Sequence, residues 1–233
     1  AAAGSAKLTE GFGPLLPGVT HVPYGNCLHC HYHLEYPDCE LACIDYVEDE
    51  IFKRIAPPED VAALIVEPIQ GEGGYVIPPA DWLGGLRELC DRHGILLIAD
   101  EIQSGMGRTG KMFAFEHFLG PEGPVVPDII TVAKGIASGM PLSALIARDD
   151  LMIWDKGAHG TTFGGNPVGC AAALETIDLL EESLIENAAQ MGHYLMGRLE
   201  ILQDKYDVLI DVRGLGLMIG MEFQTGELAQ ARH

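Results

Sequence analysis

The sequence predicts an α/β layered fold with a mostly parallel sheet. Three observations carry that prediction. Short apolar runs bounded by Gly, Pro or Asp recur along the chain, helix-period patterns lie between them, and polar residues suited to chemistry follow the runs directly. Strands buried on both faces read as unbroken apolar runs, and alternation with helices implies parallel pairing with crossovers.

The runs are Val61–Glu67, Ile95–Asp100, Ile129–Ala133 and Ser143–Ala147, with a later candidate at Leu217–Phe223. The first helix shows in Leu41, Ile44, Val47, Ile51 and Ile55, at three- and four-residue steps, and stops at Pro57-Pro58. Asp81 is placed to cap a helix carrying Leu83, Leu86, Leu89 and Cys90, and Gly94 to end it. Asn166-Pro167 reads as an N-cap with a first-turn proline, opening a helix through Leu174, Ile177 and Leu180. Leu184, Ala188, Met191, Leu195, Leu199 and Leu202 mark a further helix. Cys90 and Cys170 fall within helices and read as core.

Composition narrows the function. The 14 Lys and Arg against 34 Asp and Glu give a formal charge of −20. Phosphate backbones and anionic membrane surfaces need a basic footprint, so nucleic acid and membrane are not expected partners. No apolar run reaches the ~18 residues of a membrane span, and Ala1–Glu10 does not read as a signal peptide. A cytoplasmic location is expected. The 233 residues, 48% apolar and 21% charged, suit one large domain or one plus part of another.

In sheets of this kind ligands bind beyond the carboxyl ends of strands. Glu67, Asp100 to Gln103, and Lys134 occupy those positions. Lys134 lies among small and apolar residues, Val132-Ala133 before it and Gly135-Ile136-Ala137 after. A desolvated lysine has a lowered pKa and forms a Schiff base with an aldehyde; the bland reading is a surface lysine. Asp100 is placed either to hold a pyridinium nitrogen protonated or merely to cap a turn. Gly105, Gly110 and Lys111 match the start of a phosphate loop, but Met112 stands where such a loop needs Ser or Thr, which argues against an NTPase. Thr161-Thr162-Phe163-Gly164-Gly165 joins hydroxyls and flexible backbone to a helix start, which suits a phosphate. Cys27, Cys30, Cys39 and Cys43 form C-x2-C-x8-C-x3-C. Zinc is one reading of that spacing; free thiols and disulfides are the others.

Four segments in order carry a family resemblance. They are Val66-Glu67-Pro68-Ile69-Gln70-Gly71-Glu72-Gly73-Gly74, the stretch from Leu97 through Asp100-Glu101-Ile102-Gln103 to Gly110, Pro127 through Lys134-Gly135, and Thr162-Phe163-Gly164-Gly165-Asn166-Pro167. Together they resemble class III pyridoxal-phosphate aminotransferases of the 4-aminobutyrate, ornithine and acetylornithine type. The resemblance implies the large domain of fold type I, with residues 1–180 a partial cofactor-binding domain and 181–233 an interdomain helix and the start of a small domain. It implies that Lys134 holds pyridoxal 5′-phosphate as an aldimine and moves the substrate proton. Asp100 would pair with the ring nitrogen, Ile102 pack on the ring and Gln103 bond near its hydroxyl. Thr162 would reach the phosphate of a neighbouring subunit, making the site that of a homodimer, and Glu67 would lie near the substrate. The implied reaction is ping-pong amino transfer from an amino acid or ω-amine to a 2-oxo acid. Some similar relatives are racemases, and these motifs do not separate the two. A non-catalytic metal-binding module on the four cysteines is the reading from another class. The family's phosphate-clasping N-terminal turn and its C-terminal substrate arginine have no counterpart here, and Arg213 is not a safe substitute. An internal fragment, itself weakly active or inactive, is the expectation.

Overall fold

The computed structural model describes residues 9–120 and 123–224, so the extreme ends read above, residues 1–8 and 225–233, lie outside it. Its centre is a four-stranded sheet in the order β1 (Ala63–Val66), β2 (Leu96–Asp100), β5 (Ile129–Val132) and β6 (Ala144–Ala147). β1 pairs with β2 and β2 with β5 in parallel, while β6 returns antiparallel on the edge. The four expected runs are therefore the four strands, and the sheet is mostly parallel. A two-residue pairing of β3 (Leu119–Gly120) with β4 (Gly123–Pro124) lies between β2 and β5 in sequence.

Helices cover the sheet as the apolar spacing requires. Helix α1 (residues 42–54) is helical throughout, but its middle, Val47–Ile51, widens to a π turn that spacing alone does not announce. It buries Ile44, Val47, Ile51 and Phe52 against α2 (Trp82–His93), which contributes Leu83, Leu86, Leu89 and Cys90, and against Val66 and Leu97 of the sheet. Full burial of each such side chain contributes about 1.5–3 kcal/mol, so this cluster is the main core. Gly94 closes α2 with φ +67°, as expected. Asp81 holds the N-cap position, but its carboxylate makes no capping bond; its backbone carbonyl accepts from Gly85 N instead.

Asn166 caps α3 (Pro167–Leu179) by accepting from Gly169 N at 2.7 Å. The two helices expected after it are one continuous run. A π turn at Leu180–Leu184 joins α3 to α4 (Ile185–Lys205) and brings Leu180 into the second core cluster with Met106, Val132 and Ala173. A side chain at Gly107 would come within 2.6 Å of Leu180, so the loop after β2 fits against this joint only because residue 107 has none. Cys170, expected in the core, is half-buried.

The last described elements form a hairpin, β7 (Leu209–Leu215) and β8 (Met218–Phe223). Its turn rests on the loop after β2: Leu217 N donates to Arg108 O at 2.9 Å. Gly216 has φ +55°, and a Cβ there would meet the Thr109 carbonyl carbon at 2.4 Å. Gly216→Ala is expected to lower unfolding free energy by roughly 1–3 kcal/mol through overpacking and backbone strain, read as a reduced urea midpoint with unchanged slope. Among the described residues no helix is long and apolar enough to cross a membrane.

Candidate active site

The carboxyl ends of β1, β2 and β5 converge, and each delivers a polar residue. Glu67 follows β1, Asp100 ends β2 and Lys134 lies two residues past β5. β2 lies between β1 and β5, and parallel pairing opposes Asp100 to Thr131, three residues before Lys134.

Lys134 Nζ donates to Gln103 Oε1 at 2.6 Å, and Gln103 Nε2 lies 3.5 Å from the Tyr75 hydroxyl. Asp100 Oδ1 accepts from Ile102 N at 3.1 Å and from Thr131 Oγ1 at 3.4 Å, which fixes the carboxylate's direction. Glu67 Oε2 accepts from Gly71 N at 2.8 Å. Burial pushes the Glu67 carboxyl up; the Gly71 N–H opposes this, Asp100 adds to it and the Lys134 charge counters it. Glu67, Asp100 and Lys134 are thus within electrostatic reach of one another. Ile102 is half-buried beside Asp100.

Lys134 has φ +45°, Tyr75 +52° and Met106 +57°. Each such residue costs about 1–3 kcal/mol, and strain of this kind collects at functional sites. Lys134 opens onto a cleft of about 640 Å³ lined by Tyr75, Gln103, Arg108, Ser138 and Met218. Asp100 and Glu67 face a second cleft of about 270 Å³ against His21, Tyr24 and Gln70. One expectation is corrected here. Lys134 is exposed, so the described residues do not desolvate it. The flanking apolar residues Ile136 and Ala137 turn inward to the second core cluster, away from the amine.

Thr162 is exposed and lines neither cleft. The phosphate-loop resemblance at Gly105–Lys111 dissolves: Lys111 Nζ donates to the Glu116 carbonyl and no long helix follows. Among the described residues no group of three or more His, Cys, Asp or Glu could hold a metal ion, which corrects the zinc reading of Cys27, Cys30, Cys39 and Cys43. Arg213 is occupied: it bonds Asp211, Glu222 and the carbonyls of Gly74 and Tyr75. It ties the hairpin to the loop that carries Tyr75.

Two supporting residues, Tyr75 and Tyr24, escaped the sequence reading, and a third, Glu101, was read only as part of the stretch after β2. Tyr75 bridges to Gln103; its place after Gly73-Gly74 was the available signal. The Tyr24 hydroxyl lies 3.0 and 3.1 Å from the carbonyl oxygens of Glu67 and Pro68, and burial pushes its phenol pKa well up. Glu101 is fully buried, accepts from Ser104 Oγ at 2.6 Å and Phe115 N at 2.8 Å, and so pins the loop carrying Ile102 and Gln103. Nothing in sequence distinguishes Glu101 from Asp100; only the alternation of the backbone sends one inward.

An amine, a fixed carboxylate and an amide carbonyl within one strand-end layer fit a carbonyl cofactor bearing a ring nitrogen. Gly71 keeps that space clear, because a Cβ there would come within 2.5 Å of the Gln103 side chain. Sequence comparison gives the same class. The family described as aminotransferase class III matches residues 1–231, and the chain belongs to that family. It is 44% identical over 219 residues to the alanine/serine racemase of Pyrococcus horikoshii, covering 91% of this chain and 45% of that protein. It is 45% identical over 226 residues to the acetylornithine aminotransferase of Methanopyrus kandleri, covering 96% of this chain and 50% of that one. A pyridoxal-phosphate-bound amine transaminase from an uncultivated Pseudomonas species superposes with a TM-score of 0.83 at 37% identity, over 97% of this chain and 52% of the other. The chain spans about half the length of the curated relatives it matches.

Proposed function

We propose that the chain is the cofactor-bearing core of a pyridoxal-phosphate aminotransferase moving an amino group from an amino acid or ω-amine, of 4-aminobutyrate or ornithine type, to a 2-oxo acid. The observation that carries this is the Lys134 amine bonded to Gln103 beside Asp100 and Glu67 at adjacent strand ends. When bound, the cofactor supplies an electron sink for the carbon that loses its proton. Lys134 Nζ would hold the cofactor and is the group placed to move that proton. Asp100, held by Ile102 N and Thr131, keeps the ring nitrogen protonated. Ile102 packs on the ring, Gln103 bonds beside its hydroxyl, and Glu67 orients the substrate.

The reading extends to a cytoplasmic homodimer in which Thr162 reaches the partner's cofactor phosphate. Phe163, next in sequence to Thr162, and Ile153 are 82% and 83% exposed, apolar surface suited to cover by a second subunit. Residues 1–180 form the partial large domain, and 181–233 the interdomain helix and the start of a small domain.

Borohydride reduction after incubation with pyridoxal phosphate, followed by peptide mass analysis, tests the reading. The chain has six lysines, at 7, 53, 111, 134, 156 and 205, and the adduct is expected on Lys134 alone. Spread labelling in a chain extended to the relatives' length would sink the assignment. The similarity to a named racemase favours a second reading, racemisation at the same residues. Incubating one enantiomer without a 2-oxo acid separates them: amino transfer leaves it unscrambled, and racemisation produces its mirror image.

A further inference from the structure

The cleft that holds Lys134 differs in charge from the rest of the molecule. The chain carries 34 Asp and Glu against 14 Lys and Arg, so its average surface is acidic. Yet of the described residues lining the 640 Å³ cleft, two are cations, Arg108 and Lys134, and none is Asp or Glu. The neighbouring cleft carries Glu67 and Asp100. The wide cleft around Asp128 sets Glu88 and Asp91 beside it against Arg87, Arg92 and Arg148. A concave site lined by one sign of charge gathers ions of the other sign, here anions. Its volume lies within the roughly 300–1,000 Å³ of small-molecule sites.

Arg108 is the cation there without a task. Arg54, Arg87, Arg92, Arg148 and Arg213 each pair with a carboxylate. Among the described residues nothing pairs with the Arg108 guanidinium. Its backbone, by contrast, is held. Gly110 N donates to Gly107 O at 3.1 Å across Arg108 and Thr109, and Leu217 N donates to Arg108 O at 2.9 Å. Gly107 and Gly110 take φ of +81° and +82°, which closes this turn. Leu217 and Met218 continue the same wall of the cleft. A five-donor fork on a fixed backbone, facing open space, suits a planar oxyanion held by two parallel bonds.

We propose that Arg108 is a specificity-determining residue of the amino-transfer site and holds the carboxylate of the amino donor and of the 2-oxo acid acceptor. The inference rests on the reading of Lys134 as the cofactor lysine. With that amine committed to the cofactor, Arg108 is the remaining cation among the described residues of the cleft. Arg213 does not compete for the task, being bonded to Asp211 and Glu222. The contact is ionic and hydrogen-bonded; no covalent bond forms or breaks. Both half-reactions bring a carboxylate to the same cleft, so one arginine serves both. The site then selects amino acids over plain amines. The cofactor phosphate is the other oxyanion of the reaction, and the test separates the two.

The test uses the whole chain and glutarate, a dicarboxylic acid with no amino or oxo group, followed by calorimetry. Saturable binding at millimolar concentration or below is expected, weakening with added salt. Arg108→Gln is expected to weaken it roughly 10- to 100-fold through loss of a charge-assisted forked pair. Arg108→Lys keeps the charge but not the fork and is expected to fall between. Glutaramide, the uncharged diamide, is expected to bind the parent and Arg108→Gln alike. Absence of saturable glutarate binding, or an unchanged glutarate affinity in Arg108→Gln, would overturn the proposal. An equal loss for glutarate and glutaramide would also overturn it, by reducing Arg108 to a structural role. Should Arg108→Gln not fold, modification of the parent by phenylglyoxal with peptide mapping decides: glutarate is expected to protect Arg108, and glutaramide is not. Borohydride labelling with pyridoxal phosphate identifies the oxyanion. The Lys134 adduct is expected at the same cofactor concentration in Arg108→Gln as in the parent. A weakened cofactor affinity beside an unchanged glutarate affinity would assign Arg108 to the phosphate instead. Glutarate binding indifferent to Arg108 beside intact Lys134 labelling sinks this inference alone, whereas a parent unlabelled at Lys134 sinks the reading beneath it.

Discussion

Lys134→Ala, made in a chain extended to the length of its relatives, is expected to abolish the reducible cofactor adduct and to lower turnover by about 10²–10⁴-fold or more. That range is the usual contribution of a positioned acid–base group alone, and here the covalent hold on the cofactor is lost as well. No other described lysine takes over. Lys134 is the lysine lining the 640 Å³ cleft. Lys111 is spent on the Glu116 carbonyl, Lys53 pairs with Asp49, Lys205 lies over Tyr206, and Lys156 lines neither cleft. Stability is expected not to follow activity down. The exposed Lys134 side chain contributes little packing, so Lys134→Ala stays within roughly 0.5 kcal/mol of the parent. Lys134→Gly, which suits φ +45°, is expected to gain about 1 kcal/mol by relieving strain. Borohydride labelling with peptide mapping, turnover assays and urea denaturation check these outcomes. Retained labelling of another lysine with retained turnover would remove Lys134 from the chemistry.

How far the sequence reached depends on what kind of force fixes each part. The four sheet strands were legible as unbroken apolar runs, although Ile65 of β1 and Leu145 and Ile146 of β6 stay exposed. β7 was not, since Asp211-Val212-Arg213-Gly214 is polar and glycine-bearing, and it becomes a strand only by pairing with β8 and anchoring through Arg213 to the Gly74 carbonyl. The π turns were invisible for a related reason. Leu180 keeps an ordinary helical spacing, and the widened turn is set by its contact with the loop at Gly107, over seventy positions away. Site residues were legible where topology alone assigns them: a parallel sheet sends Glu67, Asp100 and Lys134 to one end whatever their surroundings. Their environment was not. The exposure of Lys134, at φ +45°, and the partners that hold Glu101, Ser104 and Phe115, are set by folded geometry that no local pattern encodes. The cysteine spacing pointed to a cluster, while the single void that all four thiols line needed the left-handed bends at His33, Glu40 and Leu41.

At the opposite end of the same strands, Asp128→Ala is expected to destabilise the chain by about 3–5 kcal/mol, the cost of stripping one partner from a buried ion pair. The carboxylate side chain is 6% exposed and faces two arginines, Arg87 and Arg148. Oδ2 accepts from Arg87 at 2.7 Å and from the Leu97 backbone N–H at 2.7 Å, and Oδ1 accepts from Arg148. One side chain at the entry of β5 therefore binds β2 through Leu97, α2 through Arg87 and the residue after β6 through Arg148. Removing it leaves the Arg87 guanidinium, itself 15% exposed, with Asp91 as its remaining carboxylate among the described residues. Asp128→Asn keeps one acceptor and is expected to cost less. Burial alone would raise the Asp128 carboxyl, but the Arg87 bond, the Leu97 N–H and the two arginine charges outweigh it and hold the group below the usual carboxylate range. A carboxyl depressed on folding stabilises fully above its unfolded pKa, about 3.9, and loses that contribution as pH falls through its lower folded value. The stability gap between parent and Asp128→Asn is accordingly expected to be constant near neutrality and to shrink below about pH 4. Denaturant titrations across acid pH read this directly, and a gap that widens with acid would refute the pairing. Because Asp128 and Lys134 sit at opposite ends of β5, cofactor labelling of the folded variant is expected to remain on Lys134. Loss of stability without loss of the adduct would separate the end of the sheet that holds the fold from the end that holds the chemistry.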